Sequence, residues 1–282
     1  MTHNQEVERS IITTYRSKLW SKFIRALKEY KLIEENDKIC VCISGGKDSF
    51  LMAKLFQELL KHSDFHFECE YLVMNPGYNE KNLNLIKENL ADLEIPAKIV
   101  ETNIFDVANM QESSPCYLCA RMRRGALYRI AEELGCNKIA LGHHYDDVIE
   151  TTLMNMLNTG SIQTMLPKLL SDNYKGMQLI RPLYLIREKD ILAWVNYNNL
   201  KFIACACKLT ERAENDLEAS KRKATKQLIK DLKAYNINVE KNIFSAPANI
   251  NLNMVLGYKI EDKYNDFNSI FEEKKNKNLT EK

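Results

Sequence analysis

The feature that most constrains this chain is a junction. Residues 39–43, Ile-Cys-Val-Cys-Ile, form a short continuous apolar run, and the next six residues read Ser44-Gly45-Gly46-Lys47-Asp48-Ser49. A run that is apolar at every position, not every second one, predicts a strand buried on both faces, as in a parallel sheet. A helical pattern follows over 49–60. Glycines between strand and helix let backbone N–H groups approach a ligand closely, and the helix aims its partial positive end at the same spot. Ser44 and Ser49 add hydroxyls and Lys47 a full positive charge, which makes a cradle for pyrophosphate. The spacing is not that of a Walker A loop, which places four residues between its glycines and ends in Gly-Lys-Ser/Thr. A plain Gly-Gly turn with a serine cap is the simpler alternative, but it does not need these residue types in register directly behind a strand.

Strand and helix continue to alternate. Strands are predicted over 67–74, 97–101 and 138–141, and helices over 79–93, 117–134 and 146–157. Such alternation predicts an α/β fold, a doubly wound parallel sheet covered by helices on both faces. The ends add helices: an amphipathic pattern over 6–30 and a lysine-rich one over 212–234 that contains Lys221-Arg222-Lys223. The expected organisation is an N-terminal helical segment (1–36), a nucleotide-binding domain that includes the cysteine site (37–210), and a C-terminal helical extension (211–260). Residues 261–282 are charged and poor in apolar side chains, and are expected to form an unstructured tail.

Composition narrows the setting. Hydrophobic residues make up 45% of the 282, enough to fill a core. No stretch approaches the ~18 consecutive apolar residues that span a bilayer. Residues 1–10 are polar and mixed in charge, unlike a signal peptide, so a cytoplasmic protein is expected. The net charge is only +2, so a nucleic-acid binder of this kind must gather its basic groups on one face.

The eight cysteines are Cys40, Cys42, Cys69, Cys116, Cys119, Cys136, Cys205 and Cys207. In a reducing setting, clustered cysteines serve as metal ligands or redox groups more often than as disulfides. Cys40, Cys42, Cys69 and Cys136 lie in or beside predicted strands and read as small buried hydrophobes. Pro115-Cys116-Tyr117-Leu118-Cys119 instead opens a predicted helix, with Arg121, Arg123 and Arg124 close behind. Two thiolates at this spacing can grip one metal ion or cluster iron, and a helix N-terminus and arginines favour the thiolate form. Cys205-Ala206-Cys207 is the remaining candidate. Two cysteines plus one leave a fourth position open, as a catalytic cluster requires and a structural zinc site does not.

Leu141-Gly142-His143-His144-Tyr145-Asp146-Asp147 falls at the end of the fourth predicted strand. Ligands of doubly wound sheets collect beyond the carboxyl ends of strands, so this segment should face the phosphate loop. Gly142, His143, Asp146 and Asp147 therefore join the loop as nucleotide-site candidates. Asp146 and Asp147 suit Mg²⁺ or a helix cap, and the histidines suit a metal or packing.

The loop SGGKDS resembles that of the PP-loop ATP pyrophosphatase superfamily, which has the adenine nucleotide alpha hydrolase-like fold. Its members split ATP into AMP and pyrophosphate and activate a carbonyl oxygen for displacement by nitrogen or sulfur. Further pieces resemble the tRNA 2-thiocytidine synthetase family. They are Pro115-Cys-x-x-Cys119, the GHHYDD stretch, Ile180-Arg-Pro-Leu183, Arg187-Glu-Lys-Asp190, Cys205, Asn242-Ile-Phe244 and the segment 251–258, so the likeness spans about 15–258. The resemblance implies ATP and Mg²⁺ at the loop, and a [4Fe–4S] cluster on Cys116, Cys119 and Cys205. Those cysteines, Lys47 and Asp48 would be catalytic. The substrate implied is tRNA, adenylated at O2 of cytidine 32 and given sulfur at C2. The sulfur donor would be a protein such as a cysteine desulfurase, and homodimers are common in the family. Arg121, Arg123, Arg124 and the run 221–223 are candidates for tRNA phosphates, although a lysine run is as often a solvated helix face.

One departure from the family is visible. Its members carry Pro-Cys-x-x-Cys at the downstream site, where this chain has Ala204-Cys205-Ala206-Cys207. Aligning Phe202-Ile203 places Cys205 on the ligand position and leaves Cys207 as the alternative. The competing functions are lysidine synthesis, which needs no thiolates, 2-thiouridine synthesis, and a non-catalytic iron–sulfur nucleotide binder.

Overall fold

The computed structural model describes residues 1–110, 115–203 and 217–280. Five strands are parallel or end a parallel series: β1 (Lys38–Ile43), β2 (Glu68–Asn75), β3 (Ala97–Glu101), β4 (Lys138–Ala140) and β6 (Gln178–Ile180), with β5 (Lys168–Leu170) antiparallel to β6 at one edge. The order across this sheet is β3-β2-β1-β4-β6-β5. The chain reverses its direction of travel between β1 and β4, and there the carboxyl ends of neighbouring strands leave a crevice. The helices are α1 (His3–Ile12), α2 (Trp20–Glu29), α3 (Lys47–His62), α4 (Glu80–Asp92), α5 (Ile104–Asn109), α6 (Pro115–Glu133), α7 (Tyr145–Thr159) and α8 (Glu188–Tyr197). After them come α9 (Leu217–Tyr235) and α10 (Val239–Ser245), then the hairpin β7 (Gly257–Ile260) and β8 (Lys263–Asp266), and α11 (Phe267–Thr280).

The expected doubly wound sheet is present, and its two central strands are buried: β1 at every position from Ile39 to Ile43, and β4 throughout. Cys40 and Cys42 are buried within it, and Cys136 is buried just ahead of β4. Hydrogen bonding to Cys40, then burial, raises the Cys136 thiol above its ordinary value, and burial does the same for the half-buried Cys69. These thiols stay protonated and behave as core atoms.

Several expectations change. The single helix expected over 6–30 is two, because Thr13 Oγ1 donates to the Arg9 carbonyl (2.7 Å) and the backbone leaves helical geometry there. The break lets Ile11, Tyr15, Leu19 and Phe23 all reach the core. Strands β5 and β6 were not apparent, since three residues are too few to show a period. The segment expected to be an unstructured tail, 261–282, carries β8 and α11 through Thr280. Asp266 starts α11 by accepting from the N–H groups of Asn268 (2.9 Å) and Ser269 (3.1 Å), and Phe267 stacks on Phe271 at 6.0 Å. A cap and one ring pair are local details that a low average hydrophobicity conceals.

The N-terminal helices are bound to the sheet domain by buried polar groups. Lys54 of α3 is fully buried and donates to Asn4 (2.6 Å), Glu8 (2.8 Å), Gln57 (2.6 Å) and the Leu93 carbonyl (3.0 Å). Trp194 of α8 donates to Ser10 at 3.1 Å. At the other end, α9 and α10 pack along α7, and a small second core joins Ala26, Val148, Tyr184 and Leu185 with Phe244 against it.

Candidate active site at the sheet's switch point

Ser44 to Ser49 turn from β1 into α3, and one side chain closes the loop. Ser49 Oγ accepts from Ser44 N–H (3.1 Å) and donates to the Gly46 carbonyl (2.8 Å). Gly45 has φ +86°, and a Cβ there would fall 2.5 Å from Ile203 Cδ1. Ile203 also donates its N–H to the Gly45 carbonyl at 3.4 Å. The loop needs glycine at 45 on both counts.

Gly142 brings the second signature against the first. A Cβ on it would lie 3.2 Å from backbone atoms of Asp48 and Ser49, so the two segments meet backbone to backbone. His144 is the N-cap of α7 and forms a reciprocal capping box with Asp147: His144 N–H donates to Asp147 Oδ2 (3.0 Å), and Asp147 N–H donates to His144 Nδ1 (3.4 Å). Between them the segments open a cavity of about 450 Å³, lined among others by Ser44, Asp48, His143, Asp147, Arg123 and Arg124. The arginines hang from α6.

Six of the ten residues predicted for the nucleotide site line the cavity, and of its carboxylates Asp146 turns away. The six are Ser44, Asp48, Ser49, Gly142, His143 and Asp147. Lys47 stands at the loop, 3.0 Å from Glu188 and 3.2 Å from Asp48. Burial raises the Asp48 carboxyl, with His144 and Lys47 opposing, and its Oδ1 is buried without a hydrogen-bond partner. Burial lowers His143 to about 4, so its imidazole is neutral, and its Nδ1 is likewise unpartnered. Asp146 turns away: Arg187 binds it through Nε (3.1 Å) and Nη2 (3.0 Å), and its Oδ2 caps α8 by accepting from Glu188 N–H at 2.7 Å. Arg187 also pairs with Glu240 (2.5 Å) and lies over the Tyr145 ring.

The cysteine site is described in part. Cys116 falls within α6, three positions ahead of Cys119, while Cys205 and Cys207 lie outside the described residues. Cys119 is 9% exposed. It is close enough to Tyr78 to help raise that hydroxyl, after burial and against Arg123, and Tyr78 Oη donates to the Ser44 carbonyl at 3.1 Å.

Three charged residues that pair with the site were not visible as such in the sequence. Glu188 pairs with the loop lysine, and Arg222 with Asp147 (3.1 Å) and Glu150 (3.3 Å), while Lys226 reaches Glu150 (3.5 Å) and Glu188 (3.2 Å). Arg222 therefore faces acidic residues at the site, whereas the sequence leaves the run 221–223 open between a tRNA contact and a solvated helix face. A spacing of four between Arg222 and Lys226 was the available signal, since it puts both on one helix face.

A glycine loop between a buried strand and a helix, facing a second turn across a switch point, is the arrangement of a PP-loop protein, and the family model of the PP-loop domain matches residues 16–212. The tRNA-cytidine(32) 2-sulfurtransferase of Geotalea uraniireducens is 35% identical over 241 residues, covering 84% of this chain and 93% of that relative. The protein of the same name from Aeromonas salmonicida is 41% identical over 214 residues, 73% of this chain and 67% of its own. The chain belongs to the tRNA-cytidine(32) 2-sulfurtransferase family of PP-loop proteins. Its fold is also similar to that of the U34-tRNA thiolase NcsA from Methanococcus maripaludis, solved with its [4Fe-4S] cluster (TM-score 0.63, 23% identity, 81% of this chain and 76% of that one). No helix among the described residues is long and apolar enough to cross a membrane.

Proposed function

We propose that this protein is an ATP-dependent tRNA sulfurtransferase that adenylates O2 of cytidine 32 and replaces that oxygen with sulfur at C2. The observation that carries the reading is the cavity itself. It has the phosphate loop on one side and, on the other, the helix that bears Cys119.

The residues suit the groups such a reaction needs. The cavity volume of about 450 Å³ accepts a nucleotide. Loop N–H groups and the α3 N-terminus would take its phosphates, and Lys47 would neutralise the departing pyrophosphate. The partnerless Asp48 Oδ1 beside the loop suits Mg²⁺, with Asp147 next to it on the cavity wall. Neutral His143 can accept or donate one hydrogen bond to a base in the cavity but carries no charge to repel one. Arg123 and Arg124 on the cavity wall, and Arg121 on the same helix, suit tRNA phosphates. The buried Cys119, on the helix that lines the cavity opposite the loop, suits a cluster placed next to the nucleotide, with Cys116 and Cys205 as its further ligands. Bound there, a [4Fe–4S] cluster would supply the sulfur chemistry. The sulfur would come from a donor protein such as a cysteine desulfurase, in the cytoplasm, and a homodimer fits the reading.

The test begins with protein purified without oxygen. Iron content and visible absorbance are recorded for wild type and Cys116→Ala, followed by incubation with ATP, Mg²⁺, a sulfide source and tRNA bearing cytidine 32. Nucleoside mass spectrometry should find 2-thiocytidine with the wild type only. A colourless zinc protein, or thiolation that survives loss of the cluster, would sink the reading.

A further inference from the structure

The charged side chains around the loop close into a ring. Lys47 Nζ lies 3.2 Å from Asp48 Oδ2 and 3.0 Å from Glu188 Oε1. Glu188 Oε2 is 3.2 Å from Lys226, which is 3.5 Å from Glu150. Glu150 is 3.3 Å from Arg222, Arg222 is 3.1 Å from Asp147, and Asp147 is 3.5 Å from His144. His144 Nε2 returns to Asp48 Oδ1 at 3.9 Å. Two members, Arg222 and Lys226, come from α9, which is remote in sequence from the loop.

Glu188 is the pivot. It is the first residue of α8, and its backbone N–H is bound to Asp146, so its carboxylate extends from a fixed origin. One oxygen holds Lys47 and the other holds Lys226. A carboxylate shared between two ammonium groups holds each less tightly than it would hold one alone. With Lys226 in place, Lys47 can leave Glu188 for an incoming phosphate at little cost, and the charge of Glu188 is screened from that phosphate. Without Lys226, a bare carboxylate would both retain Lys47 and repel the nucleotide. Lys226 is itself well anchored, because Thr225 and Ile229 bury the same helix against the body.

We propose that Glu188 is a positioning residue for Lys47 and that Lys226 sets the strength of its hold, so that docking of the C-terminal helix α9 tunes nucleotide affinity at the loop. The inference rests on the reading that Lys47 meets the phosphates of ATP. A mere surface ion pair would leave affinity untouched. A lysine acting directly on phosphate would act whether or not Glu188 were charged.

A double-mutant cycle separates these cases, read as the Kd of Mg²⁺·α,β-methylene-ATP by calorimetry on the full chain. Lys226→Gln should weaken binding about fivefold, the size of a half-exposed ion pair. Lys226→Arg should restore wild-type affinity. In a Glu188→Gln background, Lys226→Gln should have no effect on Kd. Glu188→Asp provides a second background if Glu188→Gln does not fold, and it should shrink the Lys226 effect by drawing the carboxylate back from both lysines. An equal loss in both backgrounds, or no loss in the wild type, overturns the proposal. Lys47→Met is measured beside them: if it binds the analogue as well as the wild type, the reading of the loop fails, whatever the cycle gives.

Discussion

The ring of Phe244 lies face to face on that of Tyr145, with centroids 4.2 Å apart and planes 12° from parallel. The other side of this contact is just as full. Arg187 sits 5.0 Å over Tyr145, Tyr184 packs on Phe244 at 5.4 Å, and Tyr145 Oη donates to the Glu240 carbonyl at 3.3 Å. The C-terminal extension therefore braces the site from behind, through Tyr145 and Arg187, without lining the cavity. It holds the start of α7 where Asp147 and His143 meet the loop.

From this stack follows a first expectation. Phe244→Ala removes a half-buried ring and an aromatic pair, which should cost about 2 kcal/mol of stability. Chemical denaturation measures the cost. Because Arg187 and Glu240 share the contact, nucleotide affinity should fall with stability, whereas Phe244→Tyr should keep most of both.

A second expectation concerns acid. Burial holds His143 at about 4 in the folded chain, below its ordinary 6.5. The unfolded chain takes up that proton near 6.5, so the contribution is complete above that pH and is lost as pH falls toward 4. Glu188, held at about 2 by Lys47, Lys226 and His144 against the effect of burial, loses its contribution lower, below 4.5. Asp48 and Glu150 are raised by burial and work in the opposite direction, gaining as they protonate. Between pH 6.5 and 4, the slope of unfolding free energy against pH should therefore be shallower in His143→Asn than in the wild type. The difference is at most one proton, or about 1.4 kcal/mol per pH unit. Identical slopes would mean that His143 is not desolvated.

The third expectation concerns the anchor of α1. Lys54 is fully buried with four oxygen partners. Truncating one member of such a group leaves the rest desolvated and unpaired, so Lys54→Ala should cost about 3 kcal/mol or more. Limited proteolysis should then cut first between α1 and α2. Protection there equal to the wild type would show that α1 docks through Ile11 and Val7 alone.

How much of this was legible in the sequence follows from the range of each signal. The strand 39–43 and loop 44–49 could be read because the apolar run, the glycines and the serines are contiguous, and β1, the loop and α3 stand where that reading puts them. The helix carrying Cys116 and Cys119 was equally local. Asp146 shows the limit. Its neighbour Asp147 has the same chemistry and the same helix turn, but only the fold reveals that Arg187, far along the chain, takes Asp146 while Asp147 faces the cavity. The same holds for Arg222 and Lys226. A basic run on a helix looks like a solvated face or a nucleic-acid contact until α7 and α8 supply the acids opposite it.

The closest backbone approach at the site gives the last expectation. A methyl group on Gly142 would sit 3.2 Å from Asp48 C and Ser49 N, both backbone atoms that no rotamer change can move aside. The segment carrying Gly142 has little freedom to retreat, because Leu141 N–H is bound to the Ile180 carbonyl (3.0 Å) and His144 is fixed in its capping box. Gly142→Ala must therefore part the two loops by a few tenths of an ångström, at about 1 kcal/mol in stability. The loops supply both walls of the phosphate end, so nucleotide Kd should rise about tenfold, an effect out of proportion to the stability lost. Gly45→Ala provides the contrast. It strains a left-handed position and strikes Ile203, so it should cost more stability, about 2 kcal/mol. Calorimetric Kd and denaturation midpoints on both variants decide the matter. If Gly142→Ala binds the nucleotide as the wild type does, the contact between the two signatures serves packing and not the ligand.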